Sequence, residues 1–106
     1  MESEDKVKIT IEEKITAKSV DSVFETFVKS FEEVGFTIWK KRPIAWLCIS
    51  KMDTDDKHID ANLALRPTSP ITATLVMSST TSSEEELNQL SEELLSAFYT
   101  KLGSGK

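Results

Sequence analysis

The residues that most often perform chemistry are scarce in this chain, which contains one histidine (His58), one cysteine (Cys48) and three glycines. Catalytic dyads, metal sites, redox pairs and phosphate-binding loops are built from clusters of such residues. His58 and Cys48 are expected on neighbouring strands about 13 Å apart, which is beyond hydrogen-bond reach. The sequence therefore predicts neither a catalytic site nor an enzyme.

The acidic residues do not form a recognisable ligand set either. Residues 53–56 begin like a calcium-binding loop, but His58 stands where such a loop has glycine, and Ala64 where it has its final glutamate. The glutamate pairs at 12–13 and 32–33 are adjacent in sequence, so their side chains diverge. We expect no bound metal ion and no cofactor.

The length and composition are typical of one small intracellular domain. The chain has 106 residues, and its single cysteine cannot form an internal disulfide, which favours a reducing cytoplasm. Residues 1–5 are acidic, unlike a signal or transit peptide, and no apolar run approaches the about 18 residues of a membrane span. We expect a cytoplasmic domain folded over residues 6–102, with loose tails at 1–5 and 103–106.

The net charge of −5 argues against duplex DNA as a partner, because phosphate binding requires a basic surface. The charges are also unevenly distributed along the chain. Residues 84–93 contain five glutamates and no cation, whereas Lys40, Lys41 and Arg42 form the one basic run. Both segments are expected on the solvated surface.

Hydrophobic residues at helical spacing predict two helices. The first follows Ser19, a preferred N-cap residue, and ends at Gly35, where a left-handed residue followed by Phe36 is typical of a Schellman motif. The second covers residues 84–102 and begins with a capping box formed by Ser83 and a glutamate three residues later. The glycine after residue 102 is expected to end it.

Hydrophobic patterning predicts five strands, at residues 6–17, 36–41, 44–52, 58–66 and from 71 to 77; the third is apolar on both faces, whereas the others show mainly alternating apolar and polar residues. Four consecutive strands with short connections form an antiparallel meander, and the helical crossover places the first strand beside the last. The expected fold is α+β, a two-layer sandwich. It has a five-stranded antiparallel sheet in the order 2-3-4-5-1 with both helices on one face.

The register of the sheet is predicted from its turns. A five-residue turn at 53–57 pairs Leu47 with Leu63, and a turn around Arg42 and Pro43 pairs Ile38 with Leu47. A slip of one residue would exchange the two faces of a strand. The predicted core face comprises Phe36, Ile38, Leu47, Ile49, Leu63 and Leu65.

The same register places Trp39 opposite Trp46 on the helix-free face of the sheet. A contiguous apolar patch usually marks an interface, whereas an aromatic cross-strand pair also stabilises a sheet in its own right. Both interpretations remain open for this pair. The candidate binding residues are Trp39, Trp46, Ile44, Lys41 and Arg42, with Cys48 and Val76 nearby.

The order strand, helix, four strands, helix resembles the fold of one repeat of the TATA-binding protein, which small archaeal proteins also adopt. The resemblance covers residues 6–102. It implies a sheet whose helix-free face binds DNA through inserted aromatic side chains, a role that would fall on Trp39 and Trp46.

A second resemblance involves the sequence VKITIEEKITA at residues 7–17, followed by SVDSVF at residues 19–24. This segment is similar to the opening of START and Bet v 1-like lipid-binding proteins. Those proteins enclose a cavity between a long C-terminal helix and a curved sheet. The resemblance implies a small hydrophobic ligand held between the helix at 84–102 and the sheet.

Three functions follow from these observations. The leading hypothesis is a non-enzymatic interaction module that binds a protein partner, or forms a homodimer, through the helix-free sheet face. A carrier of a small hydrophobic ligand is the alternative. A third hypothesis is single-stranded nucleic-acid binding, with bases stacked on the tryptophans.

Overall fold

The computed structural model describes residues 6–17, 19–42, 44–68 and 70–104 of the chain. The elements follow the order expected from the sequence. The strands are β1 (Val7–Ile15), β2 (Thr37–Arg42), β3 (Leu47–Asp53), β4 (His58–Arg66) and β5 (Ile71–Ser79), and the helices are α1 (Val20–Val34) and α2 (Glu84–Ser104).

The five strands form one antiparallel sheet in the order β1-β5-β4-β3-β2, which is the predicted order read from the other edge. Buried residues alternate with more exposed ones along β4 and β5, as a sheet covered on one face requires. Helix α1 contacts β2 and β4, helix α2 contacts β1 and β5, and the helices pack on each other. The predicted α+β two-layer fold is therefore confirmed.

Helix α1 begins and ends where its caps predict. The Ser19 hydroxyl accepts a hydrogen bond from the Ser22 N–H at 3.2 Å. Gly35 has a φ of +119°, and the Phe36 N–H donates to the Phe31 carbonyl at 2.8 Å, which forms the Schellman motif. The Phe31 and Phe36 rings then meet edge to face, 5.7 Å between centroids.

Helix α2 begins with the predicted capping box but is longer than expected. The Ser83 hydroxyl accepts from the Glu86 N–H at 3.2 Å, and a Glu86 carboxylate oxygen accepts from the Ser83 N–H at 2.9 Å. The helix continues through Gly103 to Ser104, because a glycine weakens the last helical turn without breaking it. Part of the predicted C-terminal tail is thus helical, while residues 1–5 and 105–106 lie outside the described residues. Within the described chain, neither helix has the length and apolar character of a membrane span.

Aromatic and aliphatic side chains fill the layer between the helices and the sheet. Phe27 of α1 and Phe98 of α2 stack with ring centroids 3.9 Å apart, and both are fully buried. Leu87 and Leu94 of α2 and Met77 of β5 are equally inaccessible to solvent. This packing joins both helices to the sheet in one core.

The turn between β3 and β4 is one residue shorter than predicted. It comprises residues 54–57, and Asp53 pairs with His58 across it. The Thr54 N–H donates to the Lys57 carbonyl at 2.8 Å, and the Thr54 hydroxyl accepts from the Lys57 N–H at 3.1 Å. A hydroxyl that closes a turn on the backbone in this way fixes the turn's length.

The shorter turn shifts the register of β3 by one residue and exchanges its faces. Leu47 and Ile49, predicted for the core, lie on the helix-free face with 41% and 38% of their surface exposed. Cys48, predicted for the helix-free face, is in the core and 1% exposed. Both predictions are therefore wrong. Phe36, Leu63 and Leu65 are buried as predicted, and Ile38 is half-buried.

A bulge in β2 also changes the first hairpin. The register shifts between Ile38 and Lys40, so Trp39 is the extra residue of the bulge. The turn itself also differs from the predicted one, because Arg42 pairs with Leu47 across it. Together the turn and the bulge place Ile38 opposite Ser50 and not opposite Leu47. An extra residue in a strand leaves no mark in the hydrophobic pattern of a segment this short.

Candidate functional site

The helix-free face of the sheet is covered by no element of the described residues. Two rows of side chains cross its centre, and neighbours within a row are near enough to interact across the strands. The first row is Thr10, Val76, Asn62, Ile49 and Lys40, and the second is Glu12, Thr74, Ala64, Leu47 and Arg42.

Differences in side-chain length along these rows produce a groove of about 280 Å³. Ala64 and Thr74 are short and form a low floor, whereas Leu47 and Ile49 rise beside them as an apolar wall. We call this depression the sheet groove. Its side-chain lining includes Lys40, Arg42, Leu47, Ile49, Asn62, Ala64, Thr74 and Val76.

Two cations lie on the β2 side of the sheet groove. Lys40 is opposite Ile49 and Arg42 is opposite Leu47, so each residue of the apolar wall has a cationic neighbour. Among the residues that the structure describes, neither cation has a carboxylate within ion-pair distance. Cations beside an apolar surface are suited to bind the carboxylates of a partly apolar ligand.

Trp39 lies on the helix-free face, as predicted. Its side chain is 65% exposed, and the Lys51 Nζ atom is 4.5 Å from the ring centroid, which is a cation–π contact. Lys51 is also 3.9 Å from Asp60 on β4. Trp39 is therefore available to a partner, and its role in binding stays a prediction.

Trp46 lies on the helix side of the sheet, so its predicted pairing with Trp39 is wrong. The indole Nε1 donates a hydrogen bond to the Asp21 Oδ1 atom of α1 at 2.9 Å, and the ring packs on the core. The residue has a φ of +51°, a left-handed conformation that bulky side chains rarely adopt. Its carbonyl accepts from the Leu65 N–H at 3.1 Å. These contacts hold the turn against α1 and β4, while Pro43 of the same turn lies outside the described residues.

Lys41 and Ile44, two further candidates, also lie away from the sheet groove. The Lys41 Nζ atom is 3.9 Å from the Glu25 Oε1 atom of α1, so this side chain faces the helices. Ile44 is 93% exposed in the turn between β2 and β3. Of the five predicted binding residues, Trp39 and Arg42 are the two on the helix-free face.

Cys48 and His58 are too far apart to act together. Cys48 pairs with Leu63, five residues along β4 from His58, which is about 16 Å at ~3.3 Å per residue. Burial raises the pKa of the Cys48 thiol from 9.0 to about 11, against a smaller lowering by Lys41. The exposed His58 ring instead lies 3.1 Å from an Asp53 carboxylate oxygen. Within the described residues, no three His, Cys, Asp or Glu side chains are arranged to hold a metal ion.

The two faces of the molecule differ in charge. Helices α1 and α2 carry nine carboxylates and two lysines. The helix-free face carries six basic residues and three carboxylates, at the strand positions that alternate with the buried ones. They are Lys8, Lys14, Lys40, Arg42, Lys51 and Arg66, with Glu12, Asp53 and Asp60. An acidic protein thus has a basic sheet face.

Leu47 and Ile49 are the site residues that the predicted register placed on the wrong face. The segment of β3 is apolar on both sides, because Cys48 stands between the two larger residues. Hydrophobic alternation gives no signal in such a segment. Because both sides of this strand are apolar, one apolar side had to be exposed, but the sequence did not indicate which side.

The sequence matches no known protein family, and no curated protein is significantly similar to it.

Proposed function

We propose that this protein is a non-enzymatic interaction module that binds a protein partner through the helix-free face of its sheet. The observation that carries the proposal is the sheet groove, where Leu47 and Ile49 are 41% and 38% exposed beside Val76 and Ala64. Single exposed apolar residues are common on proteins, but adjoining ones that line a groove mark interaction sites.

The openness of the sheet groove favours a macromolecular partner over a small ligand. Small-molecule sites are clefts or cavities that bury most of the ligand surface. The sheet groove is open to solvent above the sheet, so a partner must supply the remaining enclosure. Between α2 and the sheet, where a carried ligand was expected, Phe98 and Leu94 are fully buried against their neighbours.

The charge of the face favours a different protein over a second copy related by a two-fold axis. A two-fold interface brings the same patch of each subunit together. Basic residues outnumber carboxylates on this face by six to three, so two apposed copies would bring mostly like charges together, and like charges at an interface oppose association. The favoured partner is therefore not this chain.

The proposal is tested by capture from an extract of the cells that make the protein. Three baits are compared: the wild type, the double variant Leu47→Thr with Ile49→Thr, and a control. The control carries Leu90→Gln with Leu95→Gln, which removes two half-buried leucines from α2 and leaves the sheet face intact. Threonine suits strands, so the sheet variant is expected to lose only about 1 kcal/mol of unfolding free energy.

A protein retained by the wild type and the control, but lost by the sheet variant, is the expected result. Equal retention by all three baits would contradict the proposal. Sedimentation of the pure protein tests for a homodimer. If the wild type is a dimer and the sheet variant is a monomer, the partner is a second copy of this chain. If an oligonucleotide or a lipid copurified with the wild type and were lost from the sheet variant, that result would contradict a protein partner. It would identify the bound molecule as nucleic acid or as a carried hydrophobic ligand.

A further inference from the structure

We propose that the partner contributes an acidic amphipathic helix, whose apolar side chains fill the sheet groove and whose carboxylates pair with Lys40 and Arg42. This inference rests on the proposed function and adds the chemistry of the partner. It follows from the shape of the groove, from the position of the two cations and from the character of the sheet edge at β2.

The shape of the sheet groove suits a helix. Its floor, Ala64 of β4 and Thr74 of β5, lies beside the apolar wall, Leu47 and Ile49, on the neighbouring β3. An element lying along β4 would contact this wall from the side. A helix presents a continuous apolar stripe to such a depression, in the way that peptides bind as helices in hydrophobic grooves.

Lys40 and Arg42 determine which side chains should flank the apolar stripe of the partner helix. Lys40 and Arg42 are two residues apart on one face of β2, so their backbones are separated by about 7 Å. Successive residues on one face of a helix are separated by about 5–6 Å, which allows two carboxylates to reach the two cations together. Because neither cation has an ion-pair partner among the described residues, binding breaks no such pair there.

An extended acidic strand added to the edge of the sheet fits less well. Strand β2 is the edge beside the two cations, and it carries Lys40, Lys41 and Arg42 together with the bulge at Trp39. Charged residues and bulges are the features by which proteins prevent pairing at a sheet edge. The partner is therefore expected on the face of the sheet and not at its edge.

The test uses three capped helical peptides of about 18 residues, long enough for five turns. The first has a leucine stripe flanked by glutamate on an alanine background. The second replaces glutamate by lysine, and the third replaces leucine by glutamine. Calorimetry reports binding to the wild-type protein, and Trp39 emission reports it in a Trp46→Phe variant, where Trp39 is the sole tryptophan. We expect saturable binding of the first peptide and about tenfold weaker binding of the other two, since charge and apolar contact both contribute.

Charge reversal on the protein locates the contact. The double variant Lys40→Glu with Arg42→Glu should bind the leucine–glutamate peptide about tenfold more weakly and prefer the lysine peptide. The matched control is Lys8→Glu with Lys14→Glu, which makes the same change in net charge on β1. That strand lies four strand spacings away, about 19 Å across the same face. The control should bind like the wild type.

Three results would overturn the inference: no saturable binding of the leucine–glutamate peptide up to about 1 mM, equal binding of the lysine peptide, or equal weakening by the β1 control. The proposed function is tested separately by the natural partner. If Leu47→Thr with Ile49→Thr releases that partner and Lys40→Glu with Arg42→Glu does not, the face is an interface but the partner is not acidic. If neither variant releases it, both proposals fail.

Discussion

Cys48 illustrates how one step along a strand decides what a residue can do. On the helix-free face it would be an exposed thiol, whereas in the observed register it is 1% exposed beneath the helices. Burial in an apolar environment disfavours the thiolate, and a thiol is a weak nucleophile without it. Cys48 is therefore a packing residue of the core.

We predict that Cys48→Ser lowers the unfolding free energy by about 1–3 kcal/mol, because a buried hydroxyl loses its hydration at an apolar site. Denaturant unfolding measures the loss, and Cys48→Ala separates it from lost volume. The wild-type thiol should also resist alkylation at neutral pH until the chain is unfolded. Rapid alkylation of the folded protein, together with an unchanged unfolding midpoint for the serine variant, would place Cys48 at the surface.

The same burial predicts a loss of stability at alkaline pH. The folded pKa of Cys48 is raised from 9.0 to about 11, so its contribution is complete below pH 9 and lost as the pH rises to 11. Burial, and then the Glu13 carboxylate that accepts the hydroxyl hydrogen bond, raises the pKa of Tyr99 from 10.0 to about 12. We expect a loss of about 3 kcal/mol from Cys48, and only about 1 kcal/mol from Tyr99, because Tyr99 is 41% exposed and screened by solvent.

Unfolding curves between pH 8 and 12 measure this loss. Cys48→Ala should remove the part between pH 9 and 11, and Tyr99→Phe the part that follows between pH 10 and 12. If the unfolding free energy fell equally with pH in the wild type and in both variants, the loss would arise from the titration of other groups.

Among the helices and strands, those with local end signals were predicted best. Ser19, Gly35 and Ser83 cap their helices through contacts within a few residues, so the sequence fixes those ends. Strand order followed equally from short connections. The register did not, because it depended on the Thr54 hydroxyl and on the bulge at Trp39, neither of which changes hydrophobic alternation.

The helix layer provides a test of the architecture. Phe27 and Leu94 are fully buried on different helices, and Phe27 stacks on Phe98. We predict that Phe27→Ala and Leu94→Ala each lower the unfolding free energy by about 2–5 kcal/mol, the range for large-to-small changes in a core. Chemical denaturation measures the effect. A cost below about 0.5 kcal/mol for either variant would mean that the two helices do not share one core.

Considered as a whole, the molecule separates its charges between two layers. The helices carry nine of the 18 acidic residues and only two lysines, and the helix-free face carries six of the 13 basic residues. The net charge alone suggested a surface unsuited to anionic partners, whereas the topology places six basic residues on one face, two of which, Lys40 and Arg42, line an apolar groove. Which cations share a face depends on the register, so this property was not predictable from composition.

The helix-free face also determines how Trp39 should behave. In a Trp46→Phe variant, Trp39 is the sole tryptophan, and its 65% exposure predicts efficient quenching by acrylamide in the isolated protein. A neutral quencher is preferred to iodide, because Lys51 lies 4.5 Å from the ring and would concentrate an anion there.

Quenching of Trp39 before and after addition of the captured partner then reports whether that partner covers the helix-free face. We predict that acrylamide quenching falls to a small fraction of its initial value in the complex. It should remain unchanged when the partner is added to the Leu47→Thr, Ile49→Thr protein. A partner that binds while Trp39 stays fully quenchable would show that it docks elsewhere, and would contradict the proposal that this face is the interface.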